Sequence, residues 1–455
     1  MSEALTEVEQ FLEQNPQVET IELLVADLDG VLRGKRVERS LLRKVYESGF
    51  CLPQSVLALD ATGATVDETG LGIETGDSDR ICKPVPGTLQ LAPWHDSGDR
   101  AQALCEMYES NAQPLEIFPR HILKKAVDQL HRLGYKAGVA LELEFYLIDR
   151  ERKEDGSLQA PISPVSGQRM TSTQVYSMQD LDNYDFFIRD VLEMARAQNI
   201  PADAVIAEYA PGQFEVNLDY TQDIMKAVDD AVLLKRVINA VASKHGIEAT
   251  FMAKPYIDEA GNGLHIHLSL LDEAGNNLFG EGEPTDNKLL GHAIAGLLDM
   301  ADGVQALYCP TINSYRRLAP DSFAPTQLTW GIDNRSVAMR VPAGGASSRR
   351  IENRMPGADA NPYLATTALI AGILEGIENK MSPPARTVGN GYETDAPRVP
   401  DNQRDSLRAM ANDERVAKWF GKRFVEVYQE VKWRNVYLFE QQITPMEYAL
   451  ILPNV

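Results

Sequence analysis

"VALELEFYLI", residues 139–148, carries a period-two pattern around its two glutamates. In an extended chain Val139, Leu141, Leu143, Phe145 and Leu147 share one face, and Glu142 and Glu144 share the other. The two carboxylates then stand about 7 Å apart. "GNGLHIHLSLL", residues 261–271, repeats the pattern: Leu264, Ile266, Leu268 and Leu270 on one side, His265, His267 and Ser269 on the other. Each strand alone reads as part of a sheet with an apolar face on the core and a solvated polar face, and only the gathering of several such faces makes the polar side a place for chemistry.

Other segments add to that polar face. "AEYAPGQFEVNLDY" places Glu208 before a Pro-Gly turn and Glu215 in the strand that follows. "SVAMRVP" presents Arg340, and "SSRRIENRMP" presents Arg350, Glu352 and Arg354 on one strand face. If these faces line one cavity, Glu142, Glu144, Glu208, Glu215, Glu352 and His265 suit two or three hard divalent ions. An oxygen-rich set with little nitrogen favours Mg²⁺ or Mn²⁺ over Zn²⁺. Arg317, Arg335, Arg340, Arg350 and Arg354 beside them suit phosphates and a carboxylate. Ions and arginines around phosphate point to phosphoryl transfer, in which catalysis is mostly charge neutralisation and positioning.

The chain has 455 residues, with 44 Lys+Arg against 66 Asp+Glu and a net charge of −22. That charge disfavours nucleic acid and anionic membrane as partners and is compatible with cationic ligands. No apolar run reaches transmembrane length, and the acidic amphipathic start "MSEALTEVEQFLEQ" is no signal peptide. Cys51, Cys82, Cys105 and Cys309 form no C-x-x-C pair and are expected to be reduced and buried in a cytoplasmic protein. Residues 1–15 read as a helix and 21–110 as strands and turns. Long helical patterns follow: from Pro119 to Gly134, over 181–199, over 222–246 and over 361–381, with a helical C-terminus. Residues 383–402, rich in Pro, Gly and Asp, read as a mobile loop. The expectation is an α+β protein with a small β-rich N-terminal domain, 1–112, and a large domain, 113–455. "IELLVADLDGVLRGKRV", residues 21–37, resembles the nucleophile loop of haloacid-dehalogenase-type phosphatases, but no helical pattern follows until about Ser40. It reads instead as a hairpin turning at Asp29-Gly30.

The motifs "ELEF", "GQFEVN", "GNGLHIHLS", "NSYRRL", "DNRS", "MRVP", "RRIENRMP" and "ANPYL" resemble, in order, those of the glutamine synthetase family. The resemblance implies a β-grasp-like N-terminal domain and a catalytic domain with a curved antiparallel sheet flanked by helices. It implies a cytoplasmic dodecamer of two hexameric rings with active sites between subunits. Glu144, Glu208 and Glu215 match ligands of the ion near the amino acid. Glu142, His265 and Glu352 match ligands of the ion near the ATP phosphates. Tyr220, His267, Ser269, Arg340 and Arg350 fall where ATP is contacted. Gly261, Arg317 and Arg354 fall where glutamate is contacted, and Arg335 where charge on the transferred phosphoryl group is stabilised. The implied reaction phosphorylates the glutamate γ-carboxylate and lets an amine displace phosphate.

Two family features are missing. "GFCLPQSVLALD", residues 49–60, lacks the aspartate that helps bind ammonium, and Asp321-Ser322-Phe323-Ala324-Pro325 carries Phe323 where the family's flap has glutamate. Ammonium needs carboxylates to hold and deprotonate it, whereas a phenyl wall suits an alkyl amine. Trp330 either packs in the core or borders the same channel. The pattern is similar to the γ-glutamylpolyamine synthetases, which implies putrescine or a longer polyamine as acceptor and a place in polyamine catabolism and nitrogen metabolism. Ammonia as nucleophile, or a silent nitrogen-sensing relative, are the alternatives. All six ion-ligand positions are filled, which argues against silence. Tyr392 in "GNGYETDAP" lies where bacterial relatives can carry an adenylylated tyrosine, though the surrounding residues differ.

Overall fold

The structure is a computed structural model and describes residues 3–95, 97–172 and 175–455. Strands β1 (Thr20–Ala26), β2 (Leu32–Glu38), β3 (Phe50–Pro53), β4 (Asp79–Pro84), β5 (Gln90–Leu91) and β6 (Arg100–Tyr108) form a small mixed sheet. Its order is β2-β1-β6-β4-β3, with β5 on β6 and the β1–β6 pair parallel. Strands β7 (Lys136–Ile148), β8 (Ala202–Ala207), β9 (Gln213–Leu218), β10 (Glu248–Thr250), β11 (Leu264–Leu271), β12 (Trp330–Ile332), β13 (Met339–Val341) and β14 (Ile351–Asn353) form a second sheet. Its order is β12-β13-β14-β11-β7-β9-β8, with β10 on β7. It is antiparallel, as expected, apart from the short β12–β13 pair at its edge, which runs parallel.

The alternation in β7 is realised as read. Val139, Leu141, Leu143, Phe145 and Leu147 are completely buried, in the same apolar cluster as Val228, Val237 and Val241 of the helix Ile224–Lys244. The reading over 181–199 needs correction: the chain forms two helices, Met178–Asn183 and Asp185–Ala197, broken at Tyr184. Two further helices, Lys288–Asp299 and Ala301–Tyr308, escaped the sequence reading. Glycines dilute the first of them, and the structure shows why. A Cβ on Gly296 would lie 2.2 Å from the carbonyl oxygen of Gly372, and one on Gly376 would lie 2.0 Å from that of His292. The helices Lys288–Asp299 and Pro362–Glu378 therefore cross at backbone contact. Gly376→Ala is expected to destabilise the fold by about 3 kcal/mol, read by urea unfolding, because the backbones must part to admit the methyl group.

The β1–β2 connection is a five-residue loop, Asp27 to Val31, rather than a two-residue turn at Asp29-Gly30. The Asp27 carboxylate accepts from the amides of Asp29 and Val31 and from Arg33, and Asp29 pairs with Lys432. Asn361 at the start of the helix Pro362–Glu378 donates to the carbonyls of Asp27 and Leu28. Both acids are structural, so the stretch offers no free nucleophile. Cys82, Cys105 and Cys309 are buried, but Cys51 is exposed, because it occupies an outward position on the edge strand β3.

A buried polar knot joins the small sheet to the helices Pro119–Arg132, Ile224–Lys244 and Pro362–Glu378. Arg120, on the helix Pro119–Arg132, grips Asp229 with two hydrogen bonds of 2.9 and 2.8 Å and pairs with Glu106 of β6. Tyr363 donates to Asp229 and Tyr108 donates to Glu106. Burial pushes the Glu106 carboxyl up, but His121, Arg120 and Tyr108 outweigh it and hold the pKa at about 2, against 4.5 unfolded. The sign follows: this stabilisation is complete above pH 4.5 and is lost as pH falls through about 2. Acid unfolding is expected to draw about 3 kcal/mol from this residue across that window, and Glu106→Gln to flatten that limb of the stability curve.

Candidate active site

The polar faces converge as the alternation requires. Register pairs Glu142 of β7 with His265 of β11, Glu144 of β7 with Glu215 of β9, and Glu352 of β14 with both His267 of β11 and Arg340 of β13. The side chains meet. Glu142 lies 3.1 Å from His265 Nδ1 and 2.7 Å from His267 Nε2, and Glu144 accepts from the Gly263 amide at 2.6 Å. Ligand atoms of Glu142, His265 and Glu352 lie within 4.8 Å of one another, and so do those of Glu144, Glu215 and His265. His265 thus borders both sets. Glu208 stands just outside them, at the end of β8, and its charge reaches Glu215.

The electrostatics test whether ions fit. Burial, then Glu142, Glu144 and Glu208, push the Glu215 carboxyl up to about 10. Burial also raises Glu144 and Glu208. Burial opposes ionisation of Glu142, but the imidazoles of His267 and His265 hold its carboxyl well below the usual range. So many buried acids in one cradle need positive charge. Oxygen donors with one imidazole fit Mg²⁺ or Mn²⁺.

The arginines surround this cradle. Arg340 binds Asp333 at 2.7 Å and Glu352 at 2.6 Å, Arg354 also pairs with Glu352, and Arg350 donates to His267 Nδ1 at 3.0 Å. Arg340 Nε and Arg354 Nε are buried without a hydrogen-bond partner, which leaves donors for ligand oxygens. Arg317 is buried, donates to the carbonyls of Met355 and Arg354, and feels the charge of Glu144. A Cβ on Gly261 would lie 2.7 Å from Arg317 Cγ, and one on Gly263 2.7 Å from His265 Nε2, so the Gly-Asn-Gly segment must be this small. Arg335 is exposed beside a cavity of about 450 Å³ that Asp333, Asn334 and Arg386 also line.

At the far end of β7, the ring of Tyr220 lies against Gly138, where any Cβ would strike it. Ser269 faces the site side of β11, but its hydroxyl donates to the Arg349 carbonyl at 3.0 Å. Trp330 is buried, and its Nε1 donates to the Pro384 carbonyl at 2.8 Å, which places it in the core rather than on an open wall.

Phe323 is half exposed, has φ 57°, and gives its carbonyl to Arg354. Its ring lies 6.5 Å from that of Tyr209, which is equally exposed. Asp321, two residues earlier, also has positive φ. Left-handed non-glycine residues cost about 1 kcal/mol or more each, so the surroundings must hold this segment. Tyr209 was not singled out from the sequence, although its position beside Glu208 was a signal. Neither was Gln213, whose amide donates to Gly261 and Asn262 at 3.0 Å. Residues 383–402 lie pinned along 324–336, contrary to the expected mobile loop. Leu328 donates to Pro397, Val399 to Thr326 and Asn334 to Gly389.

The geometry agrees with what known proteins show. A family profile described as "Glutamine synthetase, catalytic domain" matches residues 116–451. A gamma-glutamylputrescine synthetase, PuuA, of Escherichia coli is 41% identical over 98% of this chain and 94% of its own. A glutamate–isopropylamine ligase of a Pseudomonas species is 36% identical over 94% and 93%. A solved structure described as "GmaS/ADP complex-Conformation 1" superposes with a TM-score of 0.85 at 25% identity, covering all of both chains. Among the described residues no helix is long and apolar enough to cross a membrane. The carboxylate-imidazole cradle, the arginines around it and these matches together place the chain in the glutamine synthetase family.

Proposed function

We propose that the protein is an ATP-dependent ligase that joins the γ-carboxylate of glutamate to an alkyl amine, with putrescine the leading acceptor. The observation that carries the acceptor is Phe323 beside Tyr209 on the rim of the acidic cradle. Two aromatic rings give methylene groups a dry wall and a distal ammonium a π face. The named activities of the relatives support the same choice.

The chemistry proceeds in two displacements. A γ-carboxylate oxygen of glutamate attacks the γ-phosphorus of ATP, and ADP leaves. The neutral amine nitrogen then attacks the acyl carbon, the C–O bond to phosphate breaks, and the nitrogen sheds a proton. Arg317, Arg354 and the small Gly261 hold and admit the glutamate. His267, Arg340 and Arg350 orient the nucleotide, with Tyr220 at its far end. Arg335 meets the charge on the phosphoryl group in flight. Mg²⁺ or Mn²⁺, held by Glu142, His265 and Glu352 and by Glu144, Glu208 and Glu215, would neutralise phosphate charge. We further propose the ring-shaped assembly that the family resemblance implies. Exposed Ile443, Met446, Leu450 and Leu452 at the C-terminus support burial against another copy.

The test supplies ATP, Mg²⁺ and glutamate with ammonium, ethanolamine, ethylamine, putrescine, cadaverine or spermidine in turn, and measures amide. Alkyl amines should exceed ammonium in kcat/KM, and best turnover with ammonium would refute the acceptor. Phe323→Glu should raise ammonium use and lower putrescine use, each by about tenfold or more, because it exchanges the apolar wall for a charge.

A further inference from the structure

The segment that carries Phe323 is held by a second segment 60 to 70 residues on, and one side chain makes the decisive contact. The Tyr392 hydroxyl donates to the Ala324 carbonyl at 3.0 Å. Tyr392 is itself fixed from both sides: its carbonyl accepts from Gln327 Nε2 at 3.0 Å, and its amide donates to Asn390 Oδ1 at 3.0 Å. The neighbouring Gly391 amide donates to Ser336 Oγ at 2.8 Å. A Cβ on Gly391 would lie 2.4 Å from the Ser336 carbonyl oxygen, so this approach requires a glycine.

Seen from the flap, the bonds divide into two sets. Ser322 Oγ donates to the carbonyls of Ala319 and Arg317, which fixes the start of the segment. Arg354 takes the Phe323 carbonyl, and Tyr392 takes the next one, that of Ala324. Phe323 and Asp321 both sit in the left-handed region, where a freed backbone would relax to the commoner conformations. Once relaxed, the Phe323 ring no longer faces Tyr209. Arg354 also serves the glutamate side of the site, whereas the Tyr392 hydroxyl bonds to the flap, at the Ala324 carbonyl.

From this arrangement we propose that Tyr392 is a positioning residue for the amine half-reaction: it clasps the flap so that Phe323 keeps its place against Tyr209. The proposal rests on the glutamate–amine ligase reading. A loosened flap should admit amine poorly. It should also admit water, whose oxygen attacks the acyl carbon and expels phosphate, returning glutamate with net hydrolysis of ATP.

The test compares the full-length protein with its Tyr392→Phe variant, which removes one oxygen, and with Gly391→Ala, which lifts the clasp without touching the tyrosine. In both variants the KM for putrescine should rise about tenfold, the worth of one hydrogen bond. The KM values for glutamate and ATP should stay within about twofold, and ADP formed per amide should climb clearly above one. Deuterium uptake across residues 318–330 should quicken in the same variants. Parental putrescine KM and coupling in Tyr392→Phe, or an equal rise in all three KM values, would overturn the clasp. If the parent turned over no amine the ligase reading would fall, and deuterium uptake would still decide whether Tyr392 holds the flap.

Discussion

Glu215→Gln is expected to lower kcat by about 10³-fold or more while making the ion-free protein more stable. The two effects have one cause. Glu215 is buried among Glu142, Glu144 and Glu208, and its carboxyl is pushed up to about 10 by burial and then by those charges. A raised carboxyl pKa means that the folded state keeps a proton the unfolded state has released. The sign is therefore a stability that is intact below the unfolded value of 4.5 and declines as pH rises towards 10. At pH 7.5 the deficit is at most about 4 kcal/mol, from three pH units at 1.4 kcal/mol each. Gln removes it, along with one of the oxygens that draw a divalent ion into the cradle. Thermal melts with and without Mn²⁺ check this. The parent should gain much from the ion, and the variant should start higher and gain little. A variant that melts lower than the parent without ions would contradict the repulsion argument.

The second large effect concerns Arg335. Arg340, Arg350 and Arg354 already bind Glu352, Asp333 or His267, whereas no hydrogen bond or ion pair engages Arg335 among the described residues. Its charge nevertheless reaches Glu208 and Asp333, at the mouth of the cradle. An exposed, unengaged guanidinium in that place is free to meet charge that exists only during transfer. Arg335→Ala is expected to reduce kcat by about 10³-fold or more, with KM for ATP and glutamate changed by less than about threefold. Stability should stay within about 0.5 kcal/mol, because nothing in the fold leans on this side chain. Arg335→Lys should recover little, since a point charge cannot reproduce the planar fork. A large rise in KM with kcat kept would make Arg335 a ground-state binder instead.

Period-two patterns carried the sheet and most of the cradle. In "VALELEFYLI" and "GNGLHIHLSLL" alternation alone put Glu142, Glu144, His265 and His267 on the polar face, and that is where they stand. Alternation could not say which residues face each other across strands. That Glu352 lies between His267 and Arg340 is a matter of register, decided by loops and packing. The clasp of Tyr392 on Ala324 was invisible for a similar reason: a contact between two irregular segments leaves no periodic trace. Composition misled there, because a Pro/Gly-rich stretch reads as mobile even when another segment supplies its hydrogen bonds. Gly296 and Gly376 serve a backbone crossing between two helices, a role that no periodic pattern marks. Trp330 was left between core and channel, and only packing decided for the core.

The measurement that reaches the central claim most directly follows oxygen. Glutamate labelled with oxygen-18 in both γ-carboxylate oxygens is supplied with ATP, Mg²⁺ and putrescine. If the cradle makes a γ-glutamyl phosphate that an amine then opens, each phosphate released carries one labelled oxygen and each amide retains the other, in equal amounts. Unlabelled phosphate, or amide formed without matching ADP, would mean that the carboxylate is never phosphorylated, and the account would be wrong at its root.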